Sequence, residues 1–240
     1  MTASPSAPPV NEALSTLFNA DDLAEALSLD GAVMDRLNRF DRLLVETNKT
    51  HNLVARSTIE TRWYRHFLDS AQLLRFLRAD DETILDMGAG AGFPGLILAA
   101  LSEPDRRFIL VESIAKKAKF LTEAANAMGL GNVRVETARV EALTSLPSLD
   151  GITARAMAPL VRLFDYAHPL CASHTRLIFP KGARAEDELT QARKRWQFTC
   201  AGEKSMTSAD ACILIIDQLS SQNTSARSAR NTQRRRPKQG

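Results

Sequence analysis

Between Thr83 and Leu219 the chain repeats one pattern: a short apolar run, rich in β-branched residues, then a stretch of helical or turn character. The runs read "TILDM", "RFILVES", "NVRVETA", "GITARAM", "TRLIFPK" and "ACILIIDQL". Runs this short and apolar suit strands buried on both faces. Most intervals between them hold crossover helices, which implies a mostly parallel sheet layered with helices. The segments "QFTCAG" and "ACILIIDQL" lie too close together for a full crossover, so a terminal antiparallel hairpin is expected. The helix "IAKKAKFLTEAANAMGL" is expected to stop at Gly129, a natural left-handed cap.

Upstream the period is helical. In "DGAVMDRLNRFDRLLVETNKT", Val33, Leu37, Phe40 and Leu44 make one apolar face behind Asp30 as N-cap. A second helical segment, "IETRWYRHFLDSAQLLRFL", offers Trp63, Phe67, Leu74 and Leu77 for packing. The expected organisation is a disordered N-terminus over 1–10, a helical segment over 11–79, one α/β domain over 80–219 and a basic disordered tail over 220–240.

Composition narrows the class. With 44% hydrophobic and 25% charged residues, the chain reads as an ordinary soluble globular protein. No apolar run approaches the roughly 20 residues that cross a bilayer, and "MTASPSAPPVNEAL" has no secretory h-region, so a cytoplasmic protein is expected. Cys171, Cys200 and Cys212 are scattered and unpaired in pattern, which argues against a disulfide framework or a metal site. The net charge of +3 belongs to the tail: without Arg227, Arg230, Arg234, Arg235, Arg236 and Lys238 the balance is 25 basic against 28 acidic residues. Such a tail suits a polyanion bound without sequence preference.

The first run leads into "LDMGAGAGFPGL". A dinucleotide turn requires G-x-G-x-x-G, but here the glycines are Gly88, Gly90 and Gly92, and Phe93 stands where the third would be. The spacing, with Asp86 ahead of it, is D-x-G-x-G-x-G, similar to that of S-adenosylmethionine methyltransferases. Glycines allow the backbone to turn off a strand and approach a ligand closely, and Pro94 is placed to start the next helix, with its amides towards the site. Glu112 follows Gly88 by 24 residues at the end of "FILVE", where an acid takes ribose hydroxyls.

Together "LDMGAGAGFPG", "ARVEAL", "DGITARAMAPL", "FPKG", "HNLVA" and "RHFLDSAQLL" resemble the glucose-inhibited division protein B family, from about Leu37 to Leu219. The resemblance implies a class I S-adenosylmethionine-dependent methyltransferase (Rossmann-like) fold, with an antiparallel last strand and an N-terminal helical segment. It implies a guanine-N7 methyltransferase of 16S ribosomal RNA, acting in the 530 loop, with S-adenosylmethionine as cofactor and the RNA or small ribosomal subunit as partner. A monomer without metal is expected. Position by position, it implies donor contacts from Gly88, Gly90 and Phe93, the ribose on Glu112, the adenine end at Val140 and Glu141, and Arg155 facing donor and substrate. RNA contacts are expected at Arg65, His66, Lys181, Arg234, Arg235 and Arg236. The chain departs from the family pattern at His51, Ala89, Ala154 and Met157.

Plainer readings stand beside these. Arg155 also suits a pair with a nearby acid, His66 and Asp69 suit a bond to each other, and Lys181 suits a solvated loop. A nucleotide-dependent oxidoreductase, a non-catalytic RNA-binding or assembly factor and a methyltransferase of another substrate are the competing functions. Guanine N7 carries a lone pair and no proton, so no catalytic base is expected; positioning is the task. The absence of a Pro-Cys nucleophile and of an Asn-Pro-Pro-Tyr motif agrees with a ring-nitrogen target.

Overall fold

The computed structural model describes residues 17–222. The expected disorder of 1–10, most of the 220–240 tail and the three arginines Arg234, Arg235 and Arg236 lie outside those residues.

Among the described residues seven strands form one sheet in the order β3-β2-β1-β4-β5-β7-β6. β1 (Thr83–Met87) pairs in parallel with β2 (Arg107–Val111) and β4 (Gly151–Thr153). β3 (Val133–Glu136) extends one side and β5 (Arg176–Lys181) the other, both parallel. The last two strands, β6 (Trp196–Lys204) and β7 (Cys212–Ser221), form the expected antiparallel hairpin, with β7 lying between β5 and β6. The winding reverses direction at β1, between β2 and β4. That is where an open α/β sheet leaves a crevice beyond its strand ends.

Alternate residues of the central strands supply two cores. Ile84, Phe108 and Leu110 face one layer, packed with α3 (Gly95–Leu101), α4 (Ala115–Met128) and the N-terminal helices α1 (Ala20–Leu27) and α2 (Gly31–Asn48). Leu85, Met87, Ile109 and Val111 face the other, against α5 (Leu160–Ala167) and α6 (Ala185–Ala192). The N-terminal helices therefore share the core of the sheet. Leu37, Phe40 and Leu44 on α2 are fully buried as their spacing predicts, and Asp30 accepts the Val33 amide at 2.8 Å. Gly129 caps α4 at φ +71°.

The second helical segment is irregular: a π-helix over Trp63–Leu68, one α turn over Asp69–Ala71 and a 3-10 helix over Gln72–Phe76. The wider π turn buries Trp63, Tyr64, Phe67 and Leu68 together, with the Trp63 and Phe67 rings 4.1 Å apart. Long-range bonds hold it there. The Tyr64 hydroxyl donates to the Met206 carbonyl, and the Gln72 amide oxygen accepts the Met206 amide, both from the β6–β7 connection.

Candidate active site

β1 ends in the glycine loop. Gly88 has φ +67°, and a Cβ there would stand 3.0 Å from the Met157 side chain, so only glycine leaves that space open without strain. Pro94 sits just ahead of α3 rather than within it, and the first helical amide, that of Gly95, is taken by Asp86 at 3.0 Å. The expected helix amide therefore ties down the loop instead of facing a ligand. Asp86 is fully buried and also accepts the Thr153 hydroxyl at 2.9 Å. Burial pushes its carboxyl up to about 7, against the pull of these two donors and of Arg155.

Glu112 closes the loop from the next strand. One carboxylate oxygen accepts the Gly90 amide at 3.1 Å and the other the Ile114 amide at 2.8 Å. Each oxygen has two lone pairs, so each retains one for a further donor. A groove of about 230 Å³ opens beside it, lined by Gly88, Val111, Glu112, Arg139, Val140, Glu141, Met157 and Tyr166 among others. Four expected donor residues, Gly88, Glu112, Val140 and Glu141, thus meet in one cleft. The arrangement fits an adenosyl group: a carboxylate with spare acceptor capacity for vicinal hydroxyls, an apolar wall for a base and a glycine where a side chain would intrude.

Phe93 lies elsewhere. Its side chain is buried against Phe40 and Phe67 and stacks on His66 at 5.1 Å, so it supports the loop from beneath. The Arg155 guanidinium lies 5.2 Å above the Phe93 ring. One nitrogen of Arg155 stands 3.2 Å from each of three partners: the Asp69 carboxylate, the His66 Nδ1 and the Arg65 carbonyl.

Arg155 does pair with an acid, but the His66–Asp69 bond is not made. His66 Nε2 meets the Thr58 hydroxyl at 2.9 Å, while Asp69 accepts from Thr207 and Gln72. Burial, with Arg155 beside it, lowers the His66 pKa to about 3, so the ring is neutral at physiological pH. Cation repulsion and desolvation act in the same direction there.

Arg155 borders a second cavity of about 510 Å³, with Arg65, Lys181, Arg184, Asp69, Glu188 and Thr207. Met157 lines both spaces, so cavity and groove adjoin. Lys181 is not a solvated loop lysine: it donates to Glu188 at 2.8 Å and to the Ala158 carbonyl at 2.9 Å. Between Arg155 and Met157, Ala156 holds a left-handed φ of +52°, which costs on the order of 1 kcal/mol and lets the chain line the cavity with consecutive residues.

Sequence reasoning passed over Thr207, Ser205 and Tyr166, which line these spaces. "SMTSADA" reads only as a turn between strands; nothing local tells that the topology carries it to the end of β4. Among the described residues no group of three or more His, Cys, Asp or Glu is placed to hold a metal ion. None of their helices is long and apolar enough to cross a membrane.

Residues 33–215 match the family model described as rRNA small subunit methyltransferase G. Among curated proteins, the chain is 38% identical to "Ribosomal RNA small subunit methyltransferase G" of Rhodospirillum centenum, over 84% of this chain and 92% of that protein. It is 41% identical to the protein of that name from Novosphingobium aromaticivorans, over 80% and 84% respectively. Among solved structures, an O-methyltransferase from Bacillus cereus in complex with SAH superposes with a TM-score of 0.56 at 15% identity, covering 82% of this chain and 96% of that one. A mutant of MtNAS in complex with S-adenosylmethionine gives 0.53 at 17% identity, covering 84% of each. These last two likenesses concern the fold alone.

Proposed function

The chain belongs to the rRNA small subunit methyltransferase G family, and from that premise we propose that it methylates N7 of a guanine in the 530 loop of 16S ribosomal RNA, using S-adenosylmethionine. The observation that carries the reading is the contact, at Met157, between an adenosyl-sized groove and a larger cavity whose rim includes Arg65, Arg155 and Arg184. A donor and a nucleotide can lie there side by side. The same reading takes a cytoplasmic monomer as the working unit.

When bound, S-adenosylmethionine supplies an electrophilic methyl group on its sulfonium. Glu112 accepts from the ribose hydroxyls while still bracing Gly90, and Val140 with Glu141 borders the adenine. Gly88 and Gly90 form the floor, and Phe93 supports it from below. Arg155, fixed by Asp69 and Phe93, orients the base against the donor; Arg65 and Lys181 stand at the cavity for the RNA. No group has to remove a proton, because guanine N7 has none. Neutral His66 suits this role as a hydrogen-bonding prop. Holding both reactants in line is worth up to roughly 7–11 kcal/mol of barrier. The target base must be unstacked to reach the cavity, which suits a loop nucleotide.

The test is to incubate the protein with radiolabelled donor and small subunits from a strain lacking the enzyme, then map the label to nucleotide and ring atom. Label at N7 of a guanine in the 530 loop is the expected result. Label on protein, on another base, or nowhere would refute the proposal.

A further inference from the structure

The motif "HNLVA" has no part in the groove or cavity above. It forms one wall of a separate groove of about 550 Å³, whose other wall is the start of α4. The floor is apolar, with Leu53 and Phe120 buried beneath it and Ile114 52% exposed at its edge. Lys116, Lys117 and Lys119 line one side, and Thr47, Thr50, His51 and Asn52 the other. Glu123, the one acid lining it among the described residues, lies 3.7 Å from Lys119. Lys116 and Lys117 make no ion pair among the described residues, so the groove carries uncompensated positive charge.

The wall is built rather than loose. Asn48, buried at the end of α2, accepts the amides of Leu53 at 2.7 Å and Val54 at 2.9 Å through its side-chain oxygen. This fixes the loop and leaves His51 and Asn52 exposed on the rim. The His51 Nδ1 meets the Thr50 hydroxyl at 2.7 Å. Ile114 in turn donates its amide to Glu112, the acid that also braces the glycine loop. The groove therefore begins two residues from the donor cleft.

We propose that this groove holds an unstacked nucleotide of the RNA strand flanking the modified one. Its base would lie on Ile114 and the apolar floor, its edge facing Asn52 and His51, and its phosphates against Lys116, Lys117 and Lys119. The inference rests on the RNA substrate proposed above. The chemistry of the lining favours it. An apolar floor with amide and imidazole groups at one rim and lysines at the other matches the three parts of a nucleotide, and single-stranded RNA is recognised through such splayed bases. An acidic protein segment would satisfy the lysines but not the amide and imidazole rim together with them, and a crosslink at that rim distinguishes it from RNA.

The experiment measures binding of the full chain to 16S RNA from a strain lacking the enzyme, across a salt series, with donor binding by calorimetry alongside. Replacing Lys116, Lys117 and Lys119 together by Gln is expected to weaken RNA binding tenfold or more. The log-log salt slope should become shallower by about 0.7 for each phosphate that is no longer neutralised. Donor affinity should stay within twofold, which reports an intact fold. Asn52→Ala with Ile114→Ala should weaken RNA binding without changing the slope. A photocrosslinker at residue 52 should label RNA.

Unchanged affinity and slope in the lysine variant, or a crosslink to protein in place of RNA, overturns the inference. Because binding is read separately from methylation, the two proposals fail separately. RNA binding that depends on these lysines, with label at the wrong atom, sinks the methylation site alone. Correct methylation that ignores the lysines sinks the groove alone, and absence of RNA binding together with absence of label on the small subunit sinks both.

Discussion

Glu112 and Gly90 are joined by a 3.1 Å hydrogen bond, so the acid that faces the cleft from β2 also braces the glycine loop after β1. The ribose binding proposed for Glu112 and the geometry of the loop would therefore be coupled through one side chain. Glu112→Gln replaces one acceptor oxygen by a donor and opposes either the loop amides or the ribose. Hydrogen bonds to a charged group are worth about 1.5–3 kcal/mol, so donor affinity is expected to fall about 10- to 100-fold. Calorimetry with S-adenosylmethionine reads it; an affinity equal to wild type would remove Glu112 from the donor site.

Gly88→Ala tests the close approach at the cleft floor. The new Cβ would meet Met157 at 3.0 Å with φ at +67°, a backbone penalty of roughly 1–2 kcal/mol. Lower thermal stability and weaker donor binding are expected together. Adding Met157→Ala should relieve the crowding but not the backbone strain, so recovery will be partial.

Arg155 is held through one guanidinium nitrogen, which faces Asp69, His66 and the Arg65 carbonyl, and its flat guanidinium group stands 5.2 Å over the Phe93 ring. Lysine has no flat group to stand over that ring. Arg155→Lys is therefore expected to lower single-turnover methyl transfer about 100-fold while leaving donor affinity within a few-fold. Full activity in the lysine variant would show that charge alone suffices.

The pH dependence of stability should contain two opposed contributions. Asp86 keeps its proton up to about 7 in the folded state, whereas the unfolded chain releases it near 3.8. Its contribution is thus present below about 4 and is lost as pH rises to about 7. His66 is the reverse: with a folded pKa of about 3 against 6.5, its contribution is present above about 6.5 and is lost as pH falls towards 3. Asp86→Asn mimics the protonated acid, with its oxygen towards Gly95 and its amide towards Thr153. Denaturant titrations should show this variant gaining stability relative to wild type between pH 4 and 7. A parallel offset at every pH would refute the assignment to Asp86.

Much of the layout was legible because parallel strands buried on both faces leave an unmistakable alternation, from "TILDM" to "TRLIFPK". Gly88 and Glu112 were legible for a related reason: each sits at a strand end, where sequence spacing translates directly into position. Phe93 was not, because neighbouring loop residues point to opposite sides, and only tertiary packing turns its ring towards Phe40 and Phe67. The π-helix at Trp63–Leu68 was equally hidden: no local signal marks it, and Tyr64 within it bonds to Met206, 142 residues away. His66 and Asp69 illustrate the limit: correct spacing for a mutual bond, but each finds a better partner far along the chain.

The strand order has a consequence for the larger cavity. Among the described residues β6 pairs only with β7, although β7 follows it in the chain. β7, inserted beside β5, is what gives β6 its hydrogen-bonded neighbour, and the connection between the two strands carries Ser205 and Thr207 to Gln72 and Asp69. The far wall of the larger cavity thus depends on chain as distant as Ser221, whereas the glycine loop and the acid that braces it are complete by Glu112.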